Sequence, residues 1–139
     1  MASHSFEVRA VGRVESPLTE MESAPRQGDE GAPDAWIEFD SDFLDALGGV
    51  APGDRIVILS WLDRADRDIV TVHPRGDTSR PPTGVFATRS PHRPNPIGLH
   101  PVEVLEMDGP RIRVAGLEAL DGTPVLDVKP LLEGEISER

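Results

Sequence analysis

Between Gly84 and Gly98 the chain reads Gly-Val-Phe-Ala-Thr-Arg-Ser-Pro-His-Arg-Pro-Asn-Pro-Ile-Gly. Two guanidinium groups, an imidazole, two hydroxyls and an amide are crowded into this short stretch. Arg89 and Arg93 can pair with a carboxylate or phosphate through forked hydrogen bonds. Thr88 and Ser90 can donate or accept. Pro91, Pro94 and Pro96 fix φ and remove backbone donors, so no regular helix or central strand can continue past Ser90. The stretch therefore reads as a stiff polar loop behind a short apolar strand, Val85-Phe86-Ala87. A stiff loop loses little entropy when it holds a ligand, and loops on a rigid scaffold are where sites tend to sit.

Two further polar segments stand apart from it. Arg26-Gln27 follows Pro25 in a loop. Asp127-Val128-Lys129-Pro130 holds the chain's only lysine. His73 and His100 flank the central window. Between His73 and His100 the arginines Arg75, Arg80, Arg89 and Arg93 face a single acid, Asp77. The whole chain carries a formal net charge of −11, from 25 acids and 14 bases. One positive island in an acidic chain suits an anionic or carboxylate-bearing ligand. Such a chain is a poor non-specific binder of nucleic acid, which needs basic surface.

Other chemistries find little support. There is no cysteine, so neither disulfides nor thiolate chemistry are available. His73, His92 and His100 lack the spacing of a metal site, and no metal is expected. Ser90 lacks the elbow sequence of a hydrolase nucleophile. The glycine-rich run Gly48 to Gly53 follows a helix and precedes a strand, the wrong order for a dinucleotide cradle. No apolar run reaches membrane-spanning length and no signal-peptide pattern opens the chain, so a soluble cytoplasmic protein without membrane contact is expected.

The elements that must position these residues are short. At 139 residues a single domain is expected, spanning 1–139. Alternating or continuous apolar runs predict strands at Phe6 to Glu15, Trp36 to Phe39, Arg55 to Leu62, Ile69 to Val72, Val102 to Met107, Arg111 to Leu117 and Val125 to Val128. The segment Arg55 to Leu62 has the continuous apolar character of a strand buried on both faces. Thr19 to Asp34 reads as a long polar loop. Ser41 to Leu47 predicts a small helix with Ser41 as its cap. Asp108-Gly109-Pro110 predicts a hairpin. Many short strands with little helix indicate a mainly β fold, a small barrel or compact mixed sheet.

Taken together, Pro25-Arg26-Gln27, the Gly84–Gly98 stretch and Asp121-Gly-Thr-Pro-Val-Leu-Asp-Val-Lys-Pro130 resemble, in the same order, the TrmO (YaeB/TsaA-like) family of S-adenosylmethionine-dependent tRNA methyltransferases. The resemblance covers roughly residues 6–132. It implies a small non-Rossmann β-barrel methyltransferase that works as a homodimer, with S-adenosylmethionine bound near the dimer interface. It also implies methylation of the exocyclic amine of threonylcarbamoylated adenosine beside the tRNA anticodon. By that similarity Gln27, Phe86, Thr88, Arg89, Ser90 and Arg93, with Arg26 and Ala87, line the cofactor pocket, and Leu126, Asp127 and Lys129 approach it. Either Arg89 or Arg93 could hold the cofactor carboxylate, and Asp127, His73 and His100 stay open as the base. Larger members carry a C-terminal extension, and this chain is expected to lack it.

The sequence departs from the family at Ser60, Asp63, His100 and Leu131, where an aromatic, an imidazole, a small hydroxyl residue and a tyrosine are common. Aromatic residues make up only 4% of the chain, and stacking on aromatics is a common grip on splayed RNA bases. A small-molecule methyl acceptor is therefore the alternative to tRNA. A non-enzymatic cofactor-binding module is the third reading.

Overall fold

The computed structural model describes residues 4–19, 32–73 and 76–132. Among them are eight strands: β1 (Gly12–Glu15), β2 (Ala35–Phe39), β3 (Arg55–Trp61), β4 (Thr71–Val72), β5 (Thr83–Gly84), β6 (Ile97–Asp108), β7 (Arg111–Ala115) and β8 (Pro124–Pro130). Six close into an antiparallel barrel in the order β1-β2-β7-β6-β3-β8, with β8 returning to β1. Strands β4 and β5 form a separate two-stranded sheet. The mainly β reading and the barrel agree with the sequence. No helix among the described residues is long and apolar enough to cross a membrane.

Side chains on a strand alternate between faces, so one face of each strand fills the barrel. Val14, Ala35, Ile37, Phe39, Ile56, Ile58, Val102, Val104, Ile112, Val114 and Val125 meet there. Leu117 and Ala119, on the β7–β8 connection, and Leu47 complete the core. Burying one such side chain stabilises by about 1.5–3 kcal/mol.

Strand β6 is long because it serves two neighbours. Its first half pairs with β3 and its second half with β7. A register shift between Val104 and Glu106 accompanies the change of neighbour. The β6–β7 hairpin turns at Gly109-Pro110, where Gly109 has φ +60°, as the first position of a tight hairpin turn requires. A second irregularity lies between β3 and β8. Leu59 pairs with Asp127 but Ser60 pairs with Val125, so Leu126 is an extra residue bulged out of the ladder.

Three sequence-based expectations need correction. The N-terminal strand begins only at Gly12, and Phe6 and Val8 are 88% and 70% exposed. Their alternation is local, and no strand among the described residues pairs with them. The small helix over Ser41–Leu47 is a 3₁₀ helix, and its cap is Asp40, whose carboxylate accepts from the Asp42 N–H at 3.0 Å. Val85–Ala87 is a 3₁₀ turn rather than a strand.

Gly12 is crowded by its neighbour β2. A Cβ there would lie 2.7 Å from the Glu38 carbonyl oxygen and 3.2 Å from Phe39 Cα. Gly12→Ala is expected to destabilise the protein by about 1–3 kcal/mol, because backbone cannot yield as a side-chain tip can. A thermal melt reads this as a midpoint lower by several degrees.

Candidate functional site

The Gly84–Gly98 loop leaves β5 through the 3₁₀ turn Val85–Ala87 and re-enters the barrel as β6. Its shape is set by its own polar side chains. The Thr88 hydroxyl donates to the Val85 carbonyl at 3.0 Å and accepts from the Ser90 N–H at 3.1 Å. The Ser90 hydroxyl accepts from the His92 N–H at 3.2 Å. Hydroxyl residues favour such local turns over regular ladders.

Arg93 closes the loop on itself. Its Nε donates to the Ser90 carbonyl at 2.7 Å, and its Nη2 donates to the carbonyls of Val85 at 2.9 Å and Thr88 at 2.6 Å. One guanidinium thus gathers three main-chain oxygens of the same loop. Its planar fork makes it suited to this task.

The loop is also tied to the rest of the molecule. The Arg67 guanidinium lies 5.0 Å from the Trp61 ring centroid, and donates to the Pro94 carbonyl at 2.7 Å and to Asn95 Oδ1 at 3.1 Å. His92 Nδ1 accepts from the Asp66 N–H at 2.9 Å. Leu62 N–H donates to the Pro96 carbonyl at 2.8 Å, and Val85 N–H donates to the Val70 carbonyl at 3.0 Å. Arg67 sits in a charged turn that reads as ordinary solvated surface. Only its neighbour Trp61, a stacking surface for a guanidinium, hints at its role.

The predicted contact residues therefore divide into two groups. Thr88, Ser90 and Arg93 build the loop. Phe86, Ala87 and Arg89 face outward. Phe86 is 87% exposed and borders an open groove of about 260 Å³ with Val70, Val85 and Pro94. Arg89 is exposed and makes no hydrogen bond or ion pair among the described residues. Arg93 keeps only its Nη1 donors uncommitted, so Arg89 is the freer of the two candidates for a ligand carboxylate.

The candidate bases lie in different settings. His73 follows β4 and is half-buried, with Nδ1 donating to the Arg80 carbonyl at 2.9 Å in its neutral form. That leaves Nε2 with a free lone pair. His100 is 4% exposed and faces the barrel interior, with Nε2 2.7 Å from Ser60 Oγ and Nδ1 2.7 Å from Glu118 Oε1. Both its nitrogens are occupied inside the core, away from any surface where an acceptor could sit. Asp127 is exposed on β8, with a 3.7 Å ion pair to Lys129. An exposed pair of this length is worth little, so both groups stay available. Within the basic window, two hydrogen bonds from Ser79 hold the Asp77 carboxyl below its ordinary range.

Asp127 and Lys129 do not share the groove beside Phe86. They line a larger open groove of about 930 Å³, with Phe43, Leu47, Val50 and Val128. Among the described residues no hydrogen bond or ion pair links the Val85–Arg93 segment to β8. Arg26, Gln27 and Arg75 lie outside the described residues. No group of three or more His, Asp or Glu side chains among the described residues is placed to hold a metal.

Comparison with known proteins shows the family to which this fold and sequence belong. A probable S-adenosyl-L-methionine-binding protein of Archaeoglobus fulgidus is 48% identical over 89% of this chain and 33% of its own length. Another, from Methanothermobacter thermautotrophicus, is 44% identical over 96% of this chain and 95% of its own length. The crystal structure of TrmO from Pseudomonas aeruginosa superposes with a TM-score of 0.76 at 30% identity, covering 99% of this chain and 61% of that one. The chain thus spans about a third of the Archaeoglobus relative and under two thirds of the Pseudomonas structure. Residues 13–134 match the tRNA-methyltransferase O N-terminal domain, and the chain belongs to that family.

Proposed function

We propose that the chain binds S-adenosylmethionine against the outward face of the Gly84–Gly98 loop and transfers its methyl group to the exocyclic amine of threonylcarbamoyl-adenosine in tRNA. The observation that carries this reading is the Arg93 clasp, which holds the loop rigid and leaves Arg89 and Phe86 facing out. The residues fit the cofactor's chemistry. Arg89 suits its carboxylate, Phe86 its adenine face, and Asp127 on β8 its ammonium. The bound cofactor supplies a methyl group activated by a positive sulfur. The protein's part is to hold the acceptor amine close to that methyl and in line with it, which can supply much of the acceleration. A base then takes the amine proton. The half-buried His73 and the exposed Asp127 are the candidates.

The loop residues and Asp127–Lys129 line different grooves of one chain. This separation supports a homodimer in which the loop of one subunit and β8 of its partner complete one pocket. A monomeric mass by light scattering at micromolar concentration contradicts that arrangement.

The net charge of −11 supports a second acceptor class, a small molecule, since tRNA needs basic surface. One assay separates the two. Purified protein is incubated with methyl-labelled S-adenosylmethionine and tRNA either carrying or lacking the threonylcarbamoyl group. Label on the modified tRNA alone is the expected result. Label on neither tRNA, with the cofactor bound, transfers support to the small-molecule acceptor.

A further inference from the structure

Among the described residues, the barrel interior holds a hydrogen-bonded polar cluster of Ser60, His100 and Glu118. Ser60 is fully enclosed, His100 is nearly so, and Glu118 has its side chain 13% exposed. Their order, hydroxyl to imidazole to carboxylate, with both links at 2.7 Å, is that of a hydrolytic triad. The hydroxyl is sealed, however, so no ester or amide can reach it. A carboxylate only accepts, so Nδ1–H is the donor to Glu118, and the remaining nitrogen, Nε2, is bonded to the Ser60 hydroxyl. No buried side-chain polar atom among the described residues lacks a partner. A fully satisfied network of this kind fixes one arrangement of the elements that carry it.

Those elements are the ones that present the candidate site. Gly98 ends the loop, and a Cβ added to it would lie 2.6 Å from His100 Nε2 and still closer to Ser60 Oγ. The Ser60–His100 contact therefore occupies the space left by the missing side chain at the loop's root. Ser60 also stands opposite Gly98 on β6 and Val125 on β8, where the Leu126 bulge shifts the register. Asp127 is the next residue. Glu118 lies on the β7–β8 connection, whose Leu117 N–H donates to the Pro33 carbonyl at 3.1 Å. Three separate parts of the chain meet in one hydrogen-bonded line beneath the loop root and the bulge.

We propose that Glu118, acting through His100 and Ser60, is a positioning residue that fixes both the loop root at Gly98 and the Leu126–Asp127 bulge, the two parts that each subunit contributes to the pockets of the proposed dimer. This inference rests on the cofactor reading above and adds to it residues that never touch the ligand. Glu118→Ala removes the acceptor for Nδ1–H and frees the ring to change tautomer or tilt. Glu118→Gln keeps an acceptor oxygen at the same reach. Ser60→Ala breaks the other link with little change of volume.

The test is calorimetry with S-adenosylmethionine at 25 °C on the wild type and these three variants, beside thermal melts and imidazole nitrogen spectra. Glu118→Ala and Ser60→Ala are expected to weaken binding about tenfold or more, as small displacements of a site's framework do. Glu118→Gln is expected to stay close to wild type and to keep the wild-type His100 tautomer, which Glu118→Ala loses. If wild type binds and either folded disrupting variant binds equally tightly, the positioning role is overturned and the cofactor site stands. A lowered melting midpoint with unchanged affinity is that same overturning result. If wild type does not bind, the cofactor reading itself falls and the positioning role falls with it.

Discussion

Arg93→Ala is expected to abolish useful affinity for S-adenosylmethionine, by about 100-fold or more, while the barrel stays folded. The side chain satisfies the carbonyls of Val85, Thr88 and Ser90 in a single clasp. Hydrogen bonds to a charged donor contribute about 1.5–3 kcal/mol each when well buried, and less here because the loop is only partly covered. The loss falls on the loop, since none of these groups belongs to the core cluster. Hydrogen exchange should therefore quicken between Val85 and Arg93, while the strand amides remain protected. Arg93→Lys should not restore binding, because an ammonium cannot match the planar fork. Wild-type affinity in the alanine variant contradicts the scaffold role.

Arg89→Ala should lower affinity to a similar degree with a different signature. A forked pair between guanidinium and carboxylate is among the stronger polar contacts, and losing about 2–3 kcal/mol weakens binding roughly 30- to 150-fold. Arg89 is exposed and makes no polar contact among the described residues, so the melting midpoint and loop exchange should stay at wild-type values. Arg93 and Arg89 are both arginines of one loop. The first acts on the protein and the second on the ligand, and the paired measurements tell them apart. A folded Arg89→Ala protein with unchanged affinity removes Arg89 from the site.

Much of the barrel can be read from the chain because some of its strands alternate strictly and β3 is a continuous apolar run. Ala35–Phe39 and Arg111–Ala115 bury every second residue and find partners in register. The misreadings share a cause. Phe6 and Val8 alternate just as well, but a strand needs a neighbour, and pairing is decided far away in sequence. Val85-Phe86-Ala87 is apolar enough for a strand, but the Thr88 hydroxyl and Arg93 fork draw in the Val85 carbonyl and wind the segment into a turn. Asp40 outcompetes Ser41 as a cap because its carboxylate reaches the Asp42 N–H.

The loop motif is conspicuous in sequence as a set of residue types. Composition alone cannot say which of them face inward. Thr88, Ser90 and Arg93 resemble ligand contacts on paper, yet in the fold they bond to their own backbone. Ser60, His100 and Glu118 lie on two strands and a connection, 40 and 18 residues apart. Nothing local announces them as a group. Ser60 stands out beforehand as a departure from the family pattern, and His100 as a departure and a candidate base; their mutual contact gives the two departures a common structural setting.

The central claim is that the Gly84–Gly98 loop and the Leu126–Lys129 segment form one S-adenosylmethionine site. Its most direct test is a titration of the isotopically labelled protein with S-adenosylmethionine, followed through the backbone amide spectrum. The account predicts saturable shifts concentrated at Phe86 to Arg89 and at Leu126 to Lys129, moving together with a single dissociation constant. Saturable shifts confined to another surface, or no shifts at millimolar cofactor, would contradict it.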